Sequence, residues 1–316
     1  MSWSVSHAAA AGVRSAIGGD RYGGWEYEHE GHGTVASKTR HQGDSNGDGP
    51  ENGLQAFAEE LKAQREAAGL TQEEAAKLMG YSTSVVAKLE TCRTFPSPEH
   101  ARQSDAAFRT PGTFQRIRKR WVNSAYEPWF QPYVDLEERA TALRSWQPLV
   151  IDGLLQTADY AREILRSARP GESDAQVDQR VAARMSRQEI LTREEPPPPM
   201  LSVILDETVL RRRVGDPGAM REQLGHLVEA AGNPRISVQI MPASAGAHPG
   251  MLGPFVVASF EDSADAVYLD NALDGQVTER RKQVTRMALL YDTLRTEALS
   301  TGASRELIAK VVDEWT

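Results

Sequence analysis

The stretch Gly69-Leu70-Thr71-Gln72-Glu73-Glu74-Ala75-Ala76-Lys77-Leu78-Met79-Gly80 constrains this chain more tightly than any other. Thr71 precedes Glu74 by three residues. At that spacing the Thr hydroxyl takes the third N–H of a helix while the Glu carboxylate reaches back to the cap N–H, so a helix starts here. Leu70 and Ala75 are placed to close a hydrophobic staple across the same turn. Gly69 and Gly80 stand where helices end in a left-handed residue, a conformation that penalises any side chain. The short helix between them is predicted to turn Ala75, Ala76, Leu78 and Met79 inward. Ahead of it, Leu54, Phe57, Ala58, Leu61, Arg65 and Ala68 recur at i, i+3, i+4, i+7 spacing, with Glu59, Glu60, Lys62 and Glu66 off the stripe; this is an amphipathic helix. After Gly80, Tyr81-Ser82 makes a tight turn, Ser82 is the natural N-cap of a third helix, and Val86 and Leu89 are its buried pair.

Two short helices joined by a glycine turn describe a helix-turn-helix, whose second helix enters the DNA major groove. Small Ala76 lets the two backbones cross closely. At the exposed start of the third helix stand Thr83, Ser84 and Val85. The two hydroxyls can donate to or accept from base edges, and Val85 can touch a thymine methyl. Lys88, one turn on, suits a phosphate, and Arg93 adds another. No arginine is placed for a bidentate guanine contact. Discrimination per monomer is therefore modest, and a homodimer on repeated half-sites of double-stranded DNA is expected. The formal net charge of −8 opposes nucleic acid only if evenly spread. Residues 1–53 carry a net −3 and residues 121–316 a net −8, whereas residues 54–120 hold eleven basic and eight acidic side chains, a net +3. The plain alternative is a helical bundle whose Thr, Ser and Lys merely face solvent. Cap, stop glycines, Ala76 and local charge arriving together favour the DNA reading.

The run from Gly69 to Ser82 followed by Val85-Val86-Ala87-Lys88-Leu89-Glu90 resembles the Xre, or lambda-repressor-like, class. That resemblance implies a backbone clamp at Gln72. Cys92 stands where the class tends to have glycine, and Ala87 where it often has serine. A left-handed Cys92 would cost about 1 kcal/mol.

The flanks divide the chain into three. Residues 1–53, rich in Gly, Ser, His and Asp, lack apolar periodicity after Ile17 and read as a disordered tail, either functional or a misassigned start. His29 and His32 within it could hold a metal only with a scaffold that the sequence does not supply. Residues 54–120 form the helix-turn-helix unit, stopped by Phe95-Pro96-Ser97-Pro98. Its basic run Arg116-Ile117-Arg118-Lys119-Arg120 is either a phosphate-contacting edge or a solvated helix face. Residues 121–316 open with Trp121, Tyr126, Trp129, Phe130, Tyr133 and Trp146, which seed a core or cage a ligand. Strands are expected over 201–205, 236–240, 255–260 and 266–269, with helices over 174–192, 217–231, 277–299 and 304–314. The last two helices would cover the sheet or mediate self-association. The fold class is thus α+β: an all-α lambda-repressor-like domain followed by a larger α+β domain with a small antiparallel or mixed sheet.

Gly153-Leu154-Leu155-Gln156-Thr157 with Tyr160-Ala161-Arg162, then Arg184-Met185-Ser186-Arg187-Gln188-Glu189-Ile190-Leu191, Gln223-Leu224-Gly225-His226-Leu227 and Gly250-Met251-Leu252-Gly253-Pro254-Phe255, resemble the effector region of a large group of actinobacterial regulators. The resemblance spans about residues 54–316. Asp152 departs from it, replacing a usual proline, and a more flexible turn is expected there. Relatives of this kind are often encoded beside a small partner protein, which gives the alternative of an antitoxin-like interaction module.

One cysteine, Cys92, rules out an intrachain disulfide and Cys-rich zinc sites. Apolar runs are too short for a membrane span, so a cytoplasmic protein without a membrane partner is expected. No nucleophile elbow, phosphate loop, metal-binding His pair or dinucleotide fingerprint appears, so neither an enzyme nor a cofactor is expected. Asp206-Glu207 reads as a helix cap, His226 as a half-packed side chain, and the loop from Gly246 to Met251 around His248 as a flexible connection able to line a pocket. A small-molecule receptor or enzyme using that loop is the remaining alternative.

Overall fold

A computed structural model describes residues 50–271 and 273–315. The tail reading, with His29 and His32, lies outside the described residues. Five helices come first: α1 (Pro50–Ala67), α2 (Gln72–Met79), α3 (Thr83–Glu90), α4 (Pro98–Phe108) and α5 (Thr113–Ser124). Helix α1 starts four residues ahead of the apolar stripe and ends before Ala68. Phe57, Leu61, Ala76, Met79, Val86, Leu89, Ala101 and Phe114 make one core among them. Leu78 is 55% exposed, contrary to expectation. The buried face of α2 is Ala75, Ala76 and Met79, and Leu78 falls about 100° round the helix from Met79.

After α6 (Gln131–Arg139) the chain builds a six-stranded mixed sheet from β1 (Ala142–Gln147), β2 (Met200–Asp206), β3 (Ile236–Met241), β4 (Phe255–Ser259), β5 (Ala266–Asp270) and β6 (Gly275–Thr278). The order is β3-β2-β1-β4-β5-β6, parallel among the first three and antiparallel from β1 onward. Four strands were expected, and both β1 and β6 are additions. The α+β class stands, with the sheet mixed. Between strands run α7 (Ala158–Ala168), α8 (Asp174–Arg187), α9 (Glu207–Arg211) and α10 (Pro217–Ala230); α11 (Arg281–Glu297) and α12 (Thr301–Glu314) close the chain.

Pleating sends alternate residues of each strand to opposite faces. Leu201, Val203 and Leu205 of β2 join Met220, Leu224, Leu227, Ile308 and Val311 from α10 and α12 on one face. Ile204 joins Trp146, Phe255, Val257 and Val267 beneath Val284, Tyr291 and Leu294 of α11 on the other. The last two helices therefore cover opposite faces of the sheet.

Of the aromatics of residues 121–146, Tyr126, Trp129 and Tyr133 all meet Phe130, at ring separations of 5.6, 5.8 and 5.3 Å, while Trp121 and Trp146 lie in other clusters. Trp121 stacks on Phe95 at 5.4 Å, Tyr133 on Tyr268 at 4.2 Å, and Trp146 is fully buried beneath α11. Asp206 caps α9 as expected, accepting from Thr208 N at 2.9 Å. Among the described residues no helix is long and apolar enough to cross a membrane.

Candidate nucleic-acid interface

The Thr71 hydroxyl accepts from Glu74 N at 3.2 Å and the Glu74 carboxylate accepts from Thr71 N at 2.8 Å, so the reciprocal cap forms. Those bonds hold the Glu74 carboxyl below its ordinary pKa. Gly80 is left-handed at φ 75°. Ser82 is extended at the N-cap of α3, but its side chain makes no cap hydrogen bond, so the expected hydroxyl cap is absent.

Helix α3 buries Val86 and Leu89 and leaves Thr83, Ser84 and Lys88 exposed. Val85 is half-buried against the helical core, which leaves only part of it for a base methyl. Arg93 is exposed beyond Cys92, whose φ of 55° is the left-handed conformation that its glycine-like position demands. Cys92→Gly should therefore stabilise the chain by up to about 1 kcal/mol in urea unfolding, and a loss of stability would contradict that strain.

Gln72 lies at the start of α2, but its side-chain amide donates to Glu90 at 2.8 Å instead of standing free. Glu90 also accepts from Arg65 Nε at 2.6 Å and Nη2 at 3.1 Å, and Arg65 Nη1 donates to Leu70 O at 3.0 Å. Glu90 raises the Arg65 pKa. This network ties the ends of α1, α2 and α3 together and sets the angle at which α3 is presented.

The basic run on α5 divides: Arg116, Lys119 and Arg120 are exposed, whereas Arg118 is turned into the protein. Arg118 is largely buried and donates from Nε to Pro96 O at 2.9 Å and from Nη2 to Ser186 Oγ at 2.7 Å and Glu189 at 3.1 Å, while Lys119 pairs with Glu138 at 3.0 Å. Trp121, Val122 and Ala125 then pack on Ala183 of α8, and Tyr126 donates to Ala183 O at 2.7 Å. Helix α5 thus joins the reading helices to the sheet domain.

In that domain the quoted sequence motifs converge on one knot. The turn 153–157 is pinned by Gln188 Nε2, which donates to Gly153 O at 2.9 Å and Gln156 O at 2.7 Å, and by Gln223, which donates to Leu155 O and accepts from Thr157 N, both at 2.7 Å. A Cβ on Gly153 would sit 2.5 Å from Arg187 Nη2, so a side chain there would have to push the guanidinium aside. Asp152 is not the flexible residue expected. It is buried, caps the turn by accepting from Leu154 N at 2.9 Å, and accepts from Ser145 Oγ at 2.5 Å. The carboxylate replaces a ring constraint with hydrogen bonds.

Beside the knot, Glu137 is fully buried, accepts from the Tyr133 hydroxyl at 2.8 Å and lies 2.7 Å from Arg187 Nε. Burial pushes the Glu137 carboxyl up to about 7, Arg187 opposing and Asp152 reinforcing the shift. Burial lowers Arg184 to about 10, whereas at Arg187 burial is outweighed by Glu137 together with Tyr126, Tyr133 and Asp152, which hold it raised. Reading from sequence missed this group. The signal is a charge on an apolar stripe: Glu137 follows Tyr133 by four residues, and Arg184 follows Val177 and Val181 by seven and three.

The loop around His248 is two short turns, 243–245 and 249–252, and the His248 side chain is buried edge-on against Trp146 at 5.3 Å.

A reciprocally capped α2, a glycine turn and an α3 whose exposed face bears hydroxyls and a lysine define a DNA-binding regulator of the helix-turn-helix kind, and residues 56–114 match the family described as a helix-turn-helix domain. Residues 130–310, more than half the chain, match the Domain of unknown function (DUF5753), and the chain belongs to that family. No curated protein and no solved structure matches it.

Proposed function

We propose that this chain is a cytoplasmic, sequence-specific transcriptional regulator of the Xre-like kind from the actinobacterial group it resembles. It acts as a homodimer that lays two α3 helices into successive major grooves, and it is not an enzyme. One observation carries the reading: Thr83, Ser84 and Lys88 are together exposed on α3 while Val86 and Leu89 of that helix are buried in the core. Residues 121–316 are read as the part that senses a signal, and Glu189 and Glu138 within them pair with Arg118 and Lys119 of α5. Binding there shifts DNA affinity only if it prefers one arrangement of the two recognition helices.

Selection of bound sequences from random duplexes, followed by footprinting, tests this. Lys88→Ala should weaken binding on all sequences and reduce the slope of log affinity against log salt by about 1, as for loss of one phosphate contact. Ser84→Ala should relax base preference at one position. Unchanged binding in both would reject α3 as the reading helix.

A second reading, an antitoxin-like module holding a small partner protein, draws on the apolar exposure around the turn 249–252. Leu252 is 90% exposed beside a groove of about 450 Å³ lined by Leu269, Met287 and Leu290. Co-purification with the product of a neighbouring short reading frame, abolished by Leu252→Glu, would favour it.

A further inference from the structure

Between α4 and α5 on one side and α6, the end of α8 and residues 189–196 on the other lies a cavity of about 650 Å³, within the range of sites for small organic ligands. Its walls come from both parts of the protein. Val122 of α5 faces Val134 and Ile190 of the sheet domain, and Arg118 bridges the two along one edge. We propose that this cavity is an effector site for a compact organic anion with an apolar body, and that the occupant alters how the reading helices are held on the sheet domain. The second half rests on the DNA-binding reading above; the first does not.

Three observations define the ligand class. Six Arg or Lys side chains and four Glu line the cavity, a surplus of two positive charges, so a cation is disfavoured. Paired carboxylates at Glu138 and Glu189 and the apolar walls likewise disfavour a polyanion. At the floor the fully buried Glu137 pairs with Arg187, Oε2 to Nε at 2.7 Å. A guanidinium carries more N–H donors than one carboxylate oxygen takes up. An entering carboxylate, sulfonate or phosphate monoester gives the Arg187 guanidinium an acceptor. Glu137, titrating near neutrality, takes up a proton and yields a hydrogen-bond donor instead of a repelling charge.

Coupling follows from Arg118. The guanidinium that borders the cavity also holds Pro96 O, in the segment between α3 and α4. A ligand that draws Arg118 toward itself loosens that anchor. Linkage then requires DNA and ligand to change each other's affinity by the same factor.

Anilinonaphthalene sulfonate, an aromatic anion whose fluorescence rises in apolar sites, serves as the probe on the full chain without DNA. Its uncharged counterpart, phenylnaphthylamine, has the same aromatic body without the sulfonate. One saturable site per chain is expected, with the sulfonate preferred by about tenfold or more, the equivalent of one charge-assisted contact. Asn123→Trp, which places an indole in the cavity from α5, should abolish that site while the urea-unfolding midpoint stays unchanged. Arg187→Gln should remove the preference for the sulfonate. No saturable site, equal affinity for both probes, or a site indifferent to Asn123→Trp overturns the proposal. With a selected DNA duplex present, probe affinity should shift by the factor that saturating probe shifts DNA affinity. If DNA is bound but the two affinities are independent, the regulatory half falls. If no DNA is bound, the regulator reading falls with that half, and the probe titration still decides the site.

Discussion

Replacing Arg187 by methionine is expected to lower the unfolding free energy by about 3–5 kcal/mol near pH 8, the usual consequence of stranding one member of a buried ion pair. Arg187 lies 2.7 Å from the fully buried Glu137 and over the rings of Phe130 and Tyr133, at 5.1 and 5.9 Å. Methionine keeps much of the volume and removes the charge. The loss should shrink toward pH 5, where Glu137 is protonated and needs no counter-charge. Glu137 alone gives the background for that comparison. Its carboxyl titrates at about 7 in the folded chain against 4.5 ordinarily. A group raised in this way contributes stability that is fully present below the ordinary value and lost as pH climbs through the folded one. Between about pH 4.5 and 7 the native chain should lose on the order of 1.4 kcal/mol per pH unit from this group, and Glu137→Gln should remove that slope. The double variant Arg187→Met with Glu137→Gln should recover most of the loss at pH 8. A single-variant loss below about 1 kcal/mol, or a double variant no better than Arg187→Met, would show that the two groups do not depend on each other.

The reading helices were legible because their signals are local. The Thr71–Glu74 cap spans four residues, and the left-handed conformations of Gly80 and Cys92 are consequences of single positions. Where partners are distant the sequence was silent. Strand β1 contains Arg144, Ser145 and Gln147, which look wrong for a central strand. Each is satisfied from afar or across a turn: Arg144 by Ser259 and Asp265, and Ser145 and Gln147 by Asp152. Arg118 reads as one more charge in a basic run because its partners Ser186 and Glu189 are 68 and 71 residues away. At the interface, Thr83, Ser84 and Lys88 could be read as exposed from helical spacing alone. The engagement of Gln72 by Glu90 could not, because nothing local announces a contact eighteen residues on. Asp152 shows a different limit. A departure from a familiar pattern was read as lost rigidity, but a short carboxylate beside two free donors rebuilds the turn by hydrogen bonding.

Trp146→Ala should cost about 3–5 kcal/mol, the range for removing a large buried aromatic. Its ring is fully buried among Ile204, Phe255, Val257, Val267, Tyr291 and Leu294, between the sheet and α11. Its Nε1 donates to Gly250 O at 2.7 Å, which ties the turn 249–252 to the central strand. The truncation therefore opens a cavity and leaves the Gly250 carbonyl only a long 3.4 Å bond from Gly253 N. Trp146→Phe separates the two effects, since it keeps most of the volume and forfeits the hydrogen bond, and should cost about 1–3 kcal/mol. The same contact explains Gly250. Its backbone is helical, not left-handed, so glycine is not needed for conformation. A Cβ there would sit 2.7 Å from the Trp146 ring, far inside van der Waals contact. Gly250→Ala must push either the ring or the turn away and should cost about 1–3 kcal/mol by overpacking. In the Trp146→Ala background that clash is gone, so adding Gly250→Ala should cost almost nothing further. Urea unfolding of the two single variants and the double gives the coupling directly. Additive losses would mean that the turn is held by something other than this ring; strong non-additivity would place Trp146 as its anchor. The exposed Leu252 rides on that turn, so the partner-binding reading depends on the same anchor: a partner that docks through Leu252 should be lost in Trp146→Ala.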